Sequence, residues 1–217
     1  MIGSIIWDVD GTLFDTYPAI AKSYHQAVTD LGGDVPLDWI MQAARVTMSH
    51  CVALLSERCQ LDKAELVRKS DIYYEQIPFE EQPPFPGVVE ICRYIRSNGG
   101  KNLIVTHRGR RSVDGLLAAH NMTDLFSGCI TRDDGYPRKP DPAAFTATVN
   151  LHQLDLSETI NVGDREIDIL AGQGAGIFSC LFEAGEVETA ADLVVSSYME
   201  LLSRLPELDG IRDRRGA

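Results

Sequence analysis

The hydrophobic pattern divides the chain into an opening strand, a helical stretch and a longer region of alternating strands and helices. Residues 5–9 are apolar apart from one aspartate and have the composition of a buried parallel strand. Apolar positions in residues 16–80 then recur at helical spacing, which predicts four helices and no strand. The alternation that follows predicts an α/β fold, a doubly wound parallel sheet with a Rossmann-like core and a four-helix insertion after its first strand.

The same pattern gives approximate limits for each element. Helices are predicted in the insertion at 18–31, 37–44, 49–59 and 62–73, and in the remainder at 88–96, 112–120, 142–151, 167–173 and 198–205. After the opening strand, further strands are predicted at 102–106, 129–131, 159–162, 177–181 and 193–195. The four prolines in residues 77–87 indicate a hinge, and the tail 206–217 is expected to fray. We therefore predict a catalytic core formed by residues 1–15 and 81–217, with residues 16–80 as a second domain.

Composition narrows the possible partners. The 217 residues are 44% hydrophobic and 24% charged, which is typical of a soluble globular protein. The formal net charge of −12 argues against binding to nucleic acid or to an anionic membrane, although a small phosphorylated substrate needs only a local positive pocket. The five cysteines are scattered and predict reduced thiols rather than disulfides or a zinc site. The sequence shows neither a signal peptide nor an apolar run of about 20 residues, so we expect a cytoplasmic protein. We expect it to be a monomer or a homodimer.

Two aspartates interrupt the opening strand at its carboxyl end. Asp8 and Asp10 are one residue apart, and strand alternation places them on the same side. Carboxylates this close repel each other and lose solvation unless a cation lies between them. Because Mg²⁺ prefers oxygen ligands, the pair predicts a magnesium site.

Other polar residues follow the later strands. Thr106 ends the strand at 102–106, Lys139 precedes the helix at 142–151, and Asp164 and Asp168 follow the strand at 159–162. The carboxyl ends of parallel strands form the ligand crevice of an open α/β sheet, so these side chains are expected to converge. Carboxylates, a hydroxyl, a lysine and backbone N–H groups together are what phosphoryl transfer requires.

These motifs resemble those of the haloacid dehalogenase superfamily. The four are D-V-D-G-T-L at 8–13, Thr106 at a strand end, K-P-D-P at 139–142 and G-D-R-E-I-D at 163–168, in matching order over nearly the whole chain. The helical insertion is similar to the cap of the subgroup with phosphoglycolate phosphatases, pyrophosphatases and β-phosphoglucomutases, and P-F-P-G-V at 84–88 resembles its hinge. Asp10 separates the chain from dehalogenases and phosphonate hydrolases of the superfamily, which lack this second aspartate.

The resemblance also implies roles. Asp8 would be the nucleophile that forms an aspartyl-phosphate, and Asp10 would serve first as general acid and then as base, contributing its backbone carbonyl to the metal. Thr106 and Lys139 would hold the phosphate. The implied ligands of Mg²⁺ are Asp8, Asp10, Asp164 and Asp168.

Three further residues are candidates for substrate binding. Gly11 lies in the first motif. His107 follows Thr106 where the family often has a small or amide residue, so that either its backbone N–H alone is used or its ring reaches the pocket and makes phosphate binding pH-dependent near neutrality. Arg45 lies between the second and third helices of the insertion, where family members often place specificity residues; a solvated helix-end side chain is the alternative.

The sequence therefore predicts a phosphoric monoester hydrolase, a Mg²⁺-dependent phosphatase acting on a small, phosphoglycolate-like metabolite. Phosphoglucomutase-type transfer uses the same core motifs and remains open. A phospho-aspartate signalling module is disfavoured, because it would need neither the helical insertion nor the late G-D-R-E-I-D motif. A family member turned binding protein is disfavoured because all the catalytic positions are intact.

Overall fold

The computed structural model describes residues 2–182 and 188–208. The chain divides into two compact units, one formed by Met1–Phe14 and Pro84–Ala217 and the other by Asp15–Pro83. Most of the predicted fraying tail, residues 209–217, lies outside the described residues, as does the end of the predicted core.

The first unit is built on a parallel sheet. In the described part of the chain the strands are Ser4–Trp7 (β1), Lys101–Val105 (β2), Phe126–Ile130 (β3), Thr159–Gly163 (β4), Phe178–Phe182 (β5) and Leu193–Val195 (β6). Their order is β3-β2-β1-β4-β5-β6 and every neighbouring pair is parallel. The predicted α/β class with a parallel sheet is therefore confirmed. The main difference is that β3 starts three residues before the predicted strand, in a stretch where serine and glycine weaken the apolar pattern.

Helices connect the strands and also make up the second unit. In residues 2–182 and 188–208 the α-helices are Tyr17–Asp30 (α1), Leu37–Val46 (α2), Met48–Cys59 (α3), Lys63–Tyr74 (α4), Val88–Ser97 (α5), Arg110–Ala119 (α6), Ala143–His152 (α7), Glu166–Gly174 (α8) and Tyr198–Arg204 (α9). Short 3-10 helices occur at Phe79–Glu81, Thr123–Leu125, Arg132–Asp134 and Leu156–Glu158. No described helix has the length and hydrophobicity needed to cross a membrane.

One face of the sheet packs against α7 and α8. Ile6 of β1 and Leu103 of β2 lie in a buried cluster with Phe145 of α7 and Ala171 of α8. Side chains alternate along a strand, so the neighbouring residues point to the opposite face. The core therefore has a helical layer on this side.

The opposite face packs against α5 and α9. The Trp7 ring meets Tyr198 of α9 edge-on at 5.7 Å, and its indole N–H donates to Asn102 (3.1 Å). The Asn102 amide in turn donates to the carbonyl of Cys92 in α5 (2.9 Å). The buried Tyr198 hydroxyl donates to the carbonyl of Thr12 (2.7 Å), which ties the last described helix to the loop after β1.

The second unit has its own hydrophobic core. Tyr24 and Val28 of α1, Ile40 of α2, Leu55 of α3 and Leu66 of α4 are buried in one cluster. All four helices thus contribute an apolar face to this core, as amphipathic helices in a bundle do.

Capping side chains fix where two of these helices begin. Thr47 accepts the N–H of His50 at the start of α3 (3.0 Å), and Asp62 accepts the N–H of Glu65 at the start of α4 (2.8 Å). The turn between α2 and α3 is thus set by Thr47.

The strand register brings the ends of three strands to one edge. Trp7, the last residue of β1, pairs with Ile104 of β2 and with Val162 of β4. The N–H of Asp8 then donates to the carbonyl of Val162 (2.9 Å), which fixes Asp8 at the centre of this edge. Residues that follow β1, β2 and β4 are consequently neighbours.

Candidate active site

A buried lysine joins two of the predicted carboxylates. The Lys139 ammonium donates to Asp8 Oδ1 and to Asp168 Oδ1, both at 2.6 Å, and all three side chains are at most 2% exposed. Lys139 comes from the loop between β3 and α7, Asp8 from the end of β1 and Asp168 from the first turn of α8. Residues that are 131 and 29 positions apart therefore meet in one ion-paired group.

Asp164 joins the same group. Oxygen atoms of Asp8, Asp164 and Asp168 all lie within 4.8 Å of one another, a spacing at which three carboxylates can share a cation. Asp8 Oδ2 is buried and has no hydrogen-bond partner among the described residues, which would cost about 1–3 kcal/mol if nothing satisfied it. The oxygen donor set and this buried oxygen fit a hard divalent cation.

Burial and charge act in opposition at the centre of the site. Burial, with a smaller contribution from Asp168, raises the pKa of Asp8 from 3.8 to about 6 although the Lys139 ammonium lowers it. Burial also lowers the pKa of Lys139, but the attraction of Asp168 and Asp8 outweighs this and leaves that pKa above its usual 10.5. The lysine is therefore charged at neutral pH.

Asp10 lies outside this carboxylate cluster. β1 ends at Trp7, so the strand alternation that would place Asp8 and Asp10 on one side does not continue through them. The Asp10 carboxylate instead forms a salt bridge with Arg108, whose guanidinium also donates to Ser112 (2.7 Å). Each of the two aspartates thus has a cationic side chain of the protein beside it, which relieves the repulsion that their spacing predicts.

Sequence reasoning assigned no role to two arginines of the site. Arg108 follows Thr106 by two residues, and its side chain is only 7% exposed. Arg165 lies between Asp164 and Asp168, with its Nε at 3.6 and 3.7 Å from them. Arg165 lies inside the motif at 163–168, and Arg108 lies two residues after Thr106. Their positions just after strands β4 and β2 are the sequence signal that could have identified them. With Lys139 they supply three cations to the site's four carboxylates.

Thr106 and Gly11 lie in the segments that follow β2 and β1, and they differ in the hydrogen bonds that they make. Thr106 is buried, and its hydroxyl oxygen accepts the N–H of Arg108 (3.2 Å). Among the described residues nothing accepts the hydrogen of this hydroxyl. Gly11 has φ of +75°, a conformation that favours glycine, and its N–H donates to the carbonyl of Phe14 (3.0 Å). The loop itself therefore uses the Gly11 N–H.

His107 contacts the loop that carries Lys139. Its Nε2 accepts the backbone N–H of Lys139 (2.9 Å), and its Nδ1 lies 3.4 Å from Arg138. Burial, together with the nearby charges of Lys139, Arg138 and Arg165, lowers the pKa of His107 from 6.5 to about 4. The ring is therefore neutral near pH 7. The expectation that protonation of His107 makes phosphate binding pH-dependent near neutrality thus loses its basis.

Arg45 belongs to the Asp15–Pro83 unit. Its exposed guanidinium lies over the Tyr17 ring, 5.5 Å from the centroid, and its charge acts on Asp15, where it opposes the effect of burial that raises the pKa of that carboxyl. Within this unit Arg45 has both an aromatic and an acidic neighbour. Its role toward substrate stays a prediction.

Known proteins match the chain along most of its length. The haloacid dehalogenase-like hydrolase family matches residues 5–182. A phosphoglycolate phosphatase of Aliivibrio fischeri is 31% identical over 185 residues, which cover 81% of each chain. The chain belongs to the haloacid dehalogenase-like hydrolase family. A phosphoglycolate phosphatase of Caulobacter vibrioides is also similar, with 28% identity over 210 residues, or 91% of this chain and 88% of the relative.

Solved structures of the haloacid dehalogenase-like type share the fold. A predicted phosphoglycolate phosphatase from Haemophilus somnus has a TM-score of 0.81 at 22% identity, covering 93% of this chain and 97% of its own. A family hydrolase from Deinococcus radiodurans R1 has a TM-score of 0.76 at 18% identity, covering 95% and 96%. The predicted membership, in the phosphoglycolate phosphatase-like subgroup of the haloacid dehalogenase-like hydrolases, is confirmed by the family match and the relatives together.

Proposed function

We propose that this chain is a Mg²⁺-dependent phosphatase that hydrolyses a small phosphomonoester, similar to phosphoglycolate, through an aspartyl-phosphate on Asp8. Family membership and the named relatives indicate a phosphoric monoester hydrolase. The observation that carries the mechanism is the buried Lys139 ammonium, 2.6 Å from both Asp8 and Asp168, beside an Asp8 oxygen without a partner among the described residues. A nucleophilic carboxylate and a fixed cation are the parts that phosphoryl transfer needs at one point.

The metal would be held by Asp8, Asp164 and Asp168, with the backbone carbonyl of Asp10 as the further predicted ligand. Their side-chain oxygens form the cluster that fits a hard cation, and family members generally use a divalent metal. When bound, Mg²⁺ would offset negative charge on the phosphoryl oxygens and on the carboxylates. Because all of these ligands are oxygen atoms, the set suits a hard cation such as Mg²⁺ and contains none of the sulfur or nitrogen ligands typical of zinc or redox-active metals.

The protein's residues would act in two steps. In the first, an oxygen of Asp8 attacks phosphorus, the bond from phosphorus to the leaving oxygen breaks, and Asp10 gives that oxygen a proton. In the second, Asp10 takes a proton from water while the water oxygen attacks phosphorus and the bond to Asp8 breaks, which releases phosphate. Throughout, Lys139 and the Thr106 hydroxyl would hold phosphoryl oxygens. Both catalytic aspartates end in their starting forms.

The helical unit would serve as a cap that selects the substrate. Its position after β1 and its four helices resemble the caps of the subgroup, and caps exclude water from the chemistry. Arg45 is the cation in this unit that we propose to contact an anionic group of the leaving molecule. His107 and Gly11 would shape the proposed pocket indirectly, because their hydrogen bonds hold the loops that carry Lys139 and Asp10. The curated relatives named above are phosphoglycolate phosphatases, which makes phosphoglycolate the first substrate to try.

The test is phosphate release from a panel of phosphorylated metabolites, with and without Mg²⁺. Metal-dependent release is expected from the native protein, and its loss from Asp8→Asn. Asp124→Asn, an exposed aspartate just before β3, is the matched control and should retain activity. Acid-quenched protein should carry a phosphoryl group on Asp8 by mass spectrometry. Turnover that survives Asp8→Asn would refute the mechanism, and sugar-phosphate isomerisation without phosphate release would favour a mutase.

A further inference from the structure

The imidazole of His107 is bonded to the main chain of the residue that carries the site's buried ammonium. Its Nε2 accepts the N–H of Lys139 at 2.9 Å, across 32 positions of sequence. The ring comes from the end of β2, next to Thr106, whereas Lys139 ends the exposed stretch 132–138 between β3 and α7. The contact therefore connects a sheet-anchored residue to a loop.

This bond settles the tautomer of the ring. A nitrogen that accepts a hydrogen bond carries no proton, so the proton of the neutral ring is on Nδ1. The Arg138 guanidinium, 3.4 Å from Nδ1, then faces an N–H and has no acceptor there. The charged groups around the ring are Lys139, Arg138, Arg165 and Asp168. Burial and the three cations lower the pKa of His107 to about 4, while Asp168 opposes them. The acceptor nitrogen is consequently available across the physiological pH range.

Lys139 has particular need of a fixed main chain. Its ammonium lies at 2.6 Å from two carboxylates in a group that is at most 2% exposed, so small displacements would break short contacts. The flexible four-carbon stem of a lysine does not by itself fix the position of the ammonium, so a fixed main chain reduces the positions that it can reach. The residues just before it, 132–138, are all exposed. His107 supplies the contact that this loop otherwise lacks at Lys139 N.

We infer that His107 is a positioning residue, whose neutral imidazole fixes the main chain of Lys139 and thereby the ammonium between Asp8 and Asp168. The inference rests on the proposed function for the claim that this ammonium holds phosphate. The backbone contact itself is independent of that claim. The ring is thus not incidental, because its Nε2 holds the main chain of Lys139.

Two substitutions separate this role from simple packing. His107→Leu removes the acceptor at similar size, whereas His107→Gln places an amide oxygen near the position of Nε2 and can accept the same N–H. We expect His107→Leu to lower kcat about tenfold or more, with a smaller change in KM, and His107→Gln to restore most of it. His152→Leu is the matched control, because His152 ends α7 beside Lys101, at the sheet edge opposite the site.

Magnetic resonance gives a readout that does not depend on activity. In the native protein, long-range nitrogen–proton spectra should show His107 protonated on Nδ1 and unprotonated on Nε2. Amide exchange at Lys139 should be at least about tenfold faster in His107→Leu than in His107→Gln.

Several results would overturn the inference. These are a proton on Nε2 in the native protein, unchanged kcat and amide exchange in His107→Leu, or equal losses in both variants. If His107→Leu does not fold, the native spectrum decides. If no phosphatase activity is found at all, the native spectrum and the amide exchange still decide for or against the backbone contact, apart from the proposed function.

Discussion

Asp8→Asn should change the stability of the metal-free protein, relative to the native protein, by an amount that becomes more favourable as the pH rises. Burial raises the pKa of Asp8 from 3.8 to about 6, so the native state holds a proton there more tightly than the unfolded chain does. Such a group contributes stability that is fully present below pH 3.8 and is lost as pH rises through 6. The full shift corresponds to about 3 kcal/mol. Between pH 5 and pH 7.5 the loss amounts to between about 1 and 2 kcal/mol.

Asparagine does not ionise, so the Asp8→Asn protein does not lose this free energy of unfolding as the pH rises. Urea unfolding in EDTA should therefore show that the free energy of unfolding of Asp8→Asn, relative to native protein, is larger at pH 7.5 than at pH 5 by between about 1 and 2 kcal/mol. A constant offset from the altered hydrogen bond to Lys139 cancels in this difference. Asp124→Asn, exposed and away from the site, should show no such slope. A relative stability that stays flat or falls toward pH 7.5 would refute the reasoning.

Two further substitutions test the cations of the site. Lys139→Met leaves two buried carboxylates without their cation and should destabilise the metal-free protein by about 3–5 kcal/mol in urea unfolding, with Mg²⁺ recovering part of it; a loss below about 1 kcal/mol would contradict a buried charge pair. Arg108→Ala removes the side chain that holds the Asp10 carboxyl in place and should slow hydrolysis of alkyl phosphates more than that of p-nitrophenyl phosphate, whose leaving group needs little protonation. Equal slowing of both would count against it, and Arg111→Ala, an exposed arginine in the first turn of α6, is the control.

The elements were predictable because the hydrophobic periods of this chain are strong. Every predicted strand and helix in the described residues has a counterpart, and most limits differ by one to three residues. The strand ends also indicated which polar residues would be neighbours, since the carboxyl ends of parallel strands share an edge. Asp8, Asp164, Asp168 and Lys139 meet there as geometry, while their catalytic roles stay predictions.

The partners of individual side chains were not predictable in the same way. Arg108 reaches Asp10 across 98 positions, and His107 reaches Lys139 across 32, through loops whose course no local period specifies. Strand alternation suggested one side for Asp8 and Asp10, but β1 ends before either of them. These details depend on tertiary contacts between loops. The hydrophobic pattern of a sequence carries information about strands and helices but not about such contacts.

The hydrogen bond from Tyr198 to the carbonyl of Thr12 has a consequence for synthesis on the ribosome. It spans 186 positions and joins the loop after Asp8 to the last described helix, which is translated much later. A nascent chain therefore carries Asp8 long before it holds the contact that anchors the neighbouring loop. The order of translation therefore delays this anchoring contact until Tyr198 has been made.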